Sequence, residues 1–372
     1  MAIFTPTAPD YVQRISPYVP GKPIDDVARE LNLDPRTIVK LASNENPRGP
    51  SAKALAAIAA GAAEITRYPD GNGFALKAAL SQSLAIDPAQ IVLGNGSNDV
   101  LELATQAFLR PGDAAVFSQH AFAVYPLATQ ARGATGIEVL ARDYGHDLAA
   151  MRAAVTSKTR IVFIANPNNP TGSWLEADAL EPFIAAVPPQ VLVILDEAYH
   201  EYLAPAERAP SVAWVGRYPN LLVTRTFSKA YGLAALRIGY GVMNPGVADM
   251  LNRVRQPFNV NALAQVAAIA ALADTGYVKQ SRDLNDAGLQ QLYQGLTELG
   301  VAYLPSRANF VTAKVFDAGR VYRSLLAQGV IVRPVANYGL PEWLRVSVGL
   351  PSENARFLQA LQAALAAVPD RA

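Results

Sequence analysis

The sequence predicts an α/β protein: a large domain on a mainly parallel central sheet, followed by a smaller α+β domain. Three observations predict it. Short apolar runs alternate with helical patterns from residue 91 to residue 274. Most of those runs are apolar throughout, as strands covered on both faces are. After about residue 275 the order changes to helix, strand, helix, two short strands and a closing helix. The chain of 372 residues also exceeds what one hydrophobic core usually serves.

The elements follow in order. Residues 1–50 are rich in Pro and Asn and read as an irregular arm with one helix near 24–31. The large domain is expected over 51–274. Its strands are IVL (91–93), AAVF (114–117), GIEVL (136–140), RIVFIA (160–165), VLVILD (191–196), LLVTRT (221–226) and IGYGVM (238–243). A helical stretch over 252–274 is broken at Pro257, which lacks an N–H and clashes with the preceding turn. The small domain, 275–372, opens on a helix over 277–299 and continues with a strand near 309–315 and a helix over 318–328. Strands near 330–335 and 344–349 lead to a last helix, for which Ser352 reads as the N-cap.

Composition removes several function classes. The chain is 51% hydrophobic and 17% charged, which suits a folded domain rather than a disordered one. A net charge of +1 and the absence of any basic run offer no nucleic-acid or membrane surface. With no cysteine there is no disulfide framework, thiolate zinc site or cysteine nucleophile. His120, His146 and His200 lack metal-ligand spacing, so no metal is expected. MAIFTPTAPD does not read as a signal peptide, and the apolar stretches 52–63 and 262–273 fall short of the ~20 residues of a membrane span. A cytoplasmic protein is the expectation.

Four segments end strands with chemistry. In IVLGNGSNDVLELATQAF a strand runs into Gly96, Ser97 and Asn98 and then a helix starting near Asp99. Exposed N–H groups and the helix dipole there suit an anion, and glycine lets backbone approach a phosphate. An ordinary glycine turn reads the same way. In IVFIANPNNPTGSW, Asn169 lies beyond a strand's carboxyl end, where open α/β sheets place ligands. Its amide suits an oxygen on a ligand ring, though Asn and Pro also make plain turns. VLVILDEAYHEY ends a buried strand in Asp196, with Tyr199 three residues on. A carboxylate there needs a partner: a cation in the cleft or a helix N-terminus. In TRTFSKAYGLAALRIGY, Lys229 follows Thr226 and Ser228 at a strand end, with Arg237 eight residues on. A lysine so placed suits a Schiff base, the hydroxyls and arginine suit a phosphate, and a solvated lysine is the plain reading. Taken together, a phosphate cradle, a ring-oxygen donor, a carboxylate for a ring nitrogen and an amine nucleophile describe a pyridoxal-phosphate site.

The segments PYVPGKP, LASNENPRGP, RYPDGNG, GNGSND, NPNNPTG, DEAYHEY, TFSKAYGLAALRIGY and LRVSVGLP occur in this order over nearly the whole chain. In them the chain resembles the fold-type I, aspartate-aminotransferase-like enzymes, and within those the histidinol-phosphate aminotransferases. The resemblance implies the fold-type I architecture, pyridoxal 5′-phosphate as cofactor, and a homodimer with shared active sites. It implies that Lys229 bonds the cofactor and moves the proton, that Asp196 partners the pyridine nitrogen, and that Tyr199 and Asn169 donate to the ring oxygen. Gly96, Ser97, Asn98, Thr226, Ser228 and Arg237 match the phosphate-binding set. Phe122 stands where an aromatic stacks on the ring, and Tyr68 matches the tyrosine that reaches the neighbouring subunit's cofactor. Arg345 matches the clamp for the substrate carboxylate and Arg333 a second arginine for a substrate phosphate, with Tyr18 and Asn44 lining that pocket. For Arg333 alone, a surface strand residue is the plain alternative. Several relatives read Gly-Ser-Asp-Glu where this chain has Gly96-Ser97-Asn98-Asp99.

The implied reaction is a reversible amino transfer between a glutamate/2-oxoglutarate pair and a histidinol-phosphate/imidazole-acetol-phosphate pair. An aromatic-amino-acid aminotransferase, one enzyme with both activities, and more distantly a threonine-phosphate decarboxylase are neighbouring readings on the same scaffold. Outside catalysis stands a ligand-sensing regulatory domain, which would bring a DNA-binding module that this sequence does not contain.

Overall fold

In the computed structural model, residues 7–18 and 20–367 are described. The opening residues 1–6, in which the sequence shows no signal-peptide pattern, lie outside them. Strand β1 (Val39–Lys40) belongs to the N-terminal arm. It is followed by β2 (Ile91–Gly94), β3 (Ala114–Ser118), β4 (Thr135–Val139), β5 (Thr159–Ala165), β6 (Leu192–Asp196), β7 (Leu221–Thr226) and β8 (Gly239–Met243). The last strands are β9 (Tyr303–Leu304), β10 (Phe310–Lys314), β11 (Val330–Ile331), β12 (Arg333–Pro334) and β13 (Trp343–Ser347).

Strands β2 to β8 form one sheet in the order β2-β8-β7-β6-β5-β3-β4. Only β8 runs against its neighbours; the pairs from β7 through β4 are parallel. The reason lies in the sequence. Ile161–Ala165 and Leu192–Leu195 are almost wholly inaccessible on both alternations, which only a sheet covered on both faces allows. One face packs residues such as Val193, Leu195, Val223 and Trp214; the other packs Ile194, Leu222, Phe163 and Tyr125. β4 departs from the doubly buried expectation, because as the sheet edge it exposes most of its length.

The carboxyl ends of β2, β3, β5, β6 and β7 all point to one edge. The chain direction of β8 brings its start, Gly239, to that same edge opposite Gly94 and Thr226. A Cβ at Gly239 would stand 2.2 Å from Ser97 N, so only glycine lets the loop after β2 close down here.

A second sheet, β12-β13-β10-β9, is antiparallel and packs against Leu292, Leu296, Val321, Phe357 and Leu361. The arm is built into this half. β1 pairs in parallel with β11, and Leu41 O accepts from Ser347 N at 2.9 Å. The long helix Thr275–Glu298 follows Asp274, and Pro257 falls in the gap between helices Pro245–Val254 and Ala262–Leu272. Ser352 is not an N-cap. The helix Pro351–Ala366 starts one residue earlier, with proline at its first position, and Glu353 Oε2 takes up the N–H of Leu350. Proline's fixed φ starts this helix without a side-chain cap. No helix among the described residues is long and apolar enough to cross a membrane.

Gly239→Ala is expected to destabilise the protein by about 1–3 kcal/mol, since the atoms its Cβ would meet are backbone. A urea-unfolding midpoint checks this.

Candidate active site

The sheet edge, the arm and the second sheet enclose a cavity of about 320 Å³. Its floor is the set of strand ends predicted from sequence. Gly96, Ser97 and Asn98 line it from β2, Phe122 from beyond β3, Asn169 from beyond β5, and Asp196 with Tyr199 from β6. Thr226, Ser228, Lys229 and Arg237 line it from β7 and the turn that follows. Tyr18, Asn44, Arg333 and Arg345 close it from the other side. A larger cavity of about 750 Å³ opens beyond Tyr18, Pro20, Gly21 and Arg333, which it shares. The chemistry converges in the smaller one.

Asp196 is 5% exposed and lies at the cavity's inner end. Its Oδ1 accepts from Thr224 Oγ1 at 2.9 Å, and its Oδ2 from the Tyr125 hydroxyl at 2.8 Å. Burial pushes its pKa up, and the two hydroxyls pull against that shift. No salt bridge reaches Asp196 among the described residues. The next residue, Glu197, points to the opposite face, as strand alternation requires. There it meets Arg225 at 2.8 Å, with side chains 3% and 10% exposed. Asp196 and Thr224 are cross-strand partners in the register of β6 and β7. Two side-chain pairs thus lock these strand ends, one on each face.

The opposite end of the cavity suits an anion. The helix Ser97–Phe108 begins at Gly96, whose φ of +81° favours glycine, with no side-chain cap. A Cβ on Gly96 would stand 2.7 Å from Arg237 Nη2, so the guanidinium lies against this turn. Arg237 itself takes φ +57°. Thr226 Oγ1 accepts from Ser228 N at 3.1 Å. The replacement of Asp-Glu by Asn98-Asp99 has a local account. Asp99 Oδ2 accepts from Asn95 N at 2.8 Å and from Asn259 Nδ2 at 2.7 Å. It holds the loop from behind and leaves Ser97 and Asn98 to the cavity.

Lys229 Nζ donates to Ser43 O at 2.9 Å and lies 5.9 Å from the Tyr199 ring centre. Burial and then the nearby Arg345 cation lower its pKa to about 7. The Tyr199 hydroxyl accepts from Asn44 Nδ2 at 2.9 Å, and burial holds its pKa up at about 12. Asn46, in the same loop, donates to Ala230 O and to Ser281 Oγ, each at 2.9 Å. The segment 43–46 therefore ties Lys229 and Tyr199 to the helix Thr275–Glu298.

Arg345 and Arg333 face each other across β13 and β12 as register partners. Like charges directly opposite on a sheet repel. Both are nonetheless buried, at 6% and 7% exposure, so Arg333 is not a surface strand residue. Arg345 Nη1 donates to Asn169 Oδ1 at 2.5 Å and Nη2 to Ala42 O at 2.7 Å. Arg333 stands over the Tyr18 ring at 5.4 Å.

Tyr68 is the one predicted site residue outside this cavity. It is 82% exposed and stacks on Phe258, 4.7 Å between centroids. Sequence reasoning missed Tyr125, Thr224 and the Glu197–Arg225 pair. The available signal was alternation: Asp196 and Thr224 share one face, Glu197 and Arg225 the other. His200 is buried against Glu197 and Arg225. Burial, then the Arg225 charge, press its pKa down to about 2, so it stays neutral. Among the described residues no cluster could hold a metal.

The fold and this site define a class of enzyme. The profile of the family described as aminotransferase class I and II matches residues 36–361, and the chain belongs to that family. Among curated relatives, a protein from Pseudomonas aeruginosa named histidinol-phosphate aminotransferase 2 is 61% identical over 98% of this chain and 100% of its own length. Histidinol-phosphate aminotransferase 1 of Thiobacillus denitrificans is 60% identical over 100% of this chain and 96% of its own. Among solved structures, histidinol-phosphate aminotransferase from Sinorhizobium meliloti, in complex with pyridoxal-5′-phosphate, superposes with a TM-score of 0.90. It is 30% identical, covering 98% of this chain and 99% of that one. The chain is thus a fold-type I, pyridoxal-phosphate-dependent aminotransferase. The donor set fits the cofactor: a buried carboxylate with no ion-pair partner among the described residues, an amine whose pKa burial lowers to about 7, and a turn that favours glycine.

Arg225→Met is expected to destabilise the protein by about 3–5 kcal/mol, because it leaves Glu197 buried without its cation. Chemical denaturation of the variant measures this.

Proposed function

We propose that the chain catalyses reversible transamination between L-histidinol phosphate and 2-oxoglutarate, giving imidazole-acetol phosphate and L-glutamate in L-histidine biosynthesis. The observation that carries this reading is the Arg333–Arg345 pair. The register brings two guanidiniums together, and such a doubly positive site suits a ligand with two negative charges. Histidinol phosphate brings a phosphate dianion and glutamate two carboxylates, so one pair serves both half-reactions. The names of the relatives support the same substrate.

Bound pyridoxal phosphate supplies an electron-poor ring that delocalises the electron pair left when the α-proton departs. The chain's own residues do the rest. Ser97 and Asn98 N–H groups, the Thr226 and Ser228 hydroxyls and Arg237 hold the cofactor phosphate. Phe122 stacks on the ring and Asp196 pairs with its nitrogen. Tyr199 and Asn169 donate to its oxygen, Asn44 orienting the tyrosine. Lys229 anchors the cofactor at rest. In its neutral form its Nζ would take the α-proton and return it at the other end of the transfer. Arg345 holds the α-carboxylate of glutamate, and Arg333 with Tyr18 holds the substrate phosphate.

The domain division drawn from sequence, 1–50, 51–274 and 275–372, is part of this proposal, the arm and small domain carrying the substrate residues. So are a cytoplasmic location and a homodimer with shared sites. Exposed Ile65, Tyr68, Phe74 and Phe258 supply an apolar surface for the dimer, and Tyr68 would reach the second subunit's cofactor phosphate. Tyr68→Phe is expected to weaken cofactor binding while the dimer persists in sedimentation. A monomeric wild-type protein would contradict the shared site.

Lys229→Ala is expected to keep the fold and lose turnover, and borohydride should fix cofactor on wild type but not on the variant. Full turnover without added amine sinks the assignment. The neutral amine is the base and is lost as pH falls through about 7. kcat should therefore drop about tenfold per pH unit below that point. Arg333→Ala should raise KM for histidinol phosphate by about ten- to hundredfold and leave phenylalanine nearly unaffected. Equal loss on both substrates would refute the phosphate role and favour the aromatic-aminotransferase reading.

A further inference from the structure

We propose that Tyr125 is a positioning residue of the reaction. Its hydroxyl, acting with that of Thr224, keeps Asp196 an anion aimed at the cofactor ring nitrogen, and its ring sets the seat of Phe122. The proposal rests on the pyridoxal-phosphate reading of the cavity and assigns a role to a residue outside the set of direct cofactor and substrate contacts.

The geometry is specific. Tyr125 is wholly buried and lines the cavity. Its ring stacks on Phe163 at 4.6 Å with 10° between planes, and meets Phe122 edge-on at 5.8 Å and 86°. One rigid aromatic therefore braces the residue proposed to stack on the cofactor and reaches the residue proposed to pair with its nitrogen. The helix Val124–Gln130 carries Tyr125, and Thr129 Oγ1 donates back to Tyr125 O at 2.7 Å. For packing alone, phenylalanine would suit a stack on Phe163. A buried hydroxyl costs desolvation unless bonded, and this one spends its bond on a carboxylate rather than on backbone.

The electrostatics give the contact its meaning. The groups acting on Asp196 are the hydroxyls of Tyr125 and Thr224, the backbone N–H of Ala198, the Glu197 charge from the other face of the strand, and the nearby Tyr199. Of the cations lining the cavity, Lys229, Arg237 and Arg345 donate elsewhere, to Ser43 O, to Ala234 O, and to Asn169 with Ala42 O. Asp196 thus draws on neutral donors, a hydroxyl on each oxygen and the Ala198 N–H. Each oxygen still has a lone pair to offer. When a pyridine nitrogen shares a proton with this carboxylate, the proton's position depends on how well the carboxylate is stabilised. Two donors stabilise the anion and leave the proton on nitrogen, where it keeps the ring electron-poor. Remove one donor and the carboxylate becomes more basic. The proton moves toward Asp196, the ring loses charge, and the lysine-bound imine holds its own proton more tightly.

The test uses holoenzyme reconstituted with cofactor labelled with ¹⁵N in the ring. In Tyr125→Phe, the ring-nitrogen signal should move from the protonated toward the unprotonated position. The pH midpoint of the lysine-bound absorption band should rise by about one to two pH units, the size of one hydrogen bond to a charged group. Thr224→Val should shift both readouts in the same direction through the other oxygen, and decides the matter if Tyr125→Phe does not fold. Unchanged nitrogen signal and unchanged midpoint in a folded variant would show that Tyr125 only packs. A wild type with no lysine-bound band would overturn the cofactor reading itself, and the proposal with it, before any variant is compared.

Discussion

A carboxylate buried with no cation beside it is the constraint around which the molecule is arranged. Asp196 ends a strand whose preceding residues are wholly apolar, so little of its surface is left to solvent. Two hydroxyls hold it in part, one from the next strand and one from a helix above. What remains is room for a cation of the right shape, which the protonated pyridine ring proposed to pair with it would supply. The reverse face of the same strand ends carries the opposite solution, Glu197 with Arg225 as a closed ion pair. One face is self-sufficient and structural; the other is left to be completed by a ligand.

The second constraint sits across the cavity. Antiparallel register places Arg345 opposite Arg333 and so concentrates two positive charges behind Asn169 and Tyr18. Burial, and after it the Arg345 charge, lowers the pKa of Lys229. The substrate recognition proposed for Arg345 and the activation of Lys229 thus share one electrostatic source. The loop Ser43–Asn46 joins the two halves, since it accepts from Lys229, orients Tyr199 and reaches the helix Thr275–Glu298.

Much of this was legible in the sequence because strand ends announce themselves. Apolar runs closing in Gly94, Ala165, Asp196 and Thr226 place Gly96, Asn169, Asp196 and Lys229 at strand ends of one sheet. What was not legible depends on pairing. Nothing in the spacing of Arg333 and Arg345 says that they oppose each other, because register is set by β12 and β13 together. The union of Tyr125 with Asp196 needs a helix packed over a strand 71 residues away. The arm reads as irregular because its short strand Val39–Lys40 exists only by pairing with Val330–Ile331. Ser352 misled as an N-cap because Pro351, one residue earlier, starts that helix.

The most direct measurement is a crystal structure of the holoenzyme with histidinol phosphate. The account predicts the cofactor's ring nitrogen within hydrogen-bond distance of Asp196, with Tyr125 and Thr224 still on its oxygens, and the substrate phosphate held by Arg333. A ring nitrogen facing away from Asp196, or a substrate phosphate bound away from Arg333, would contradict it.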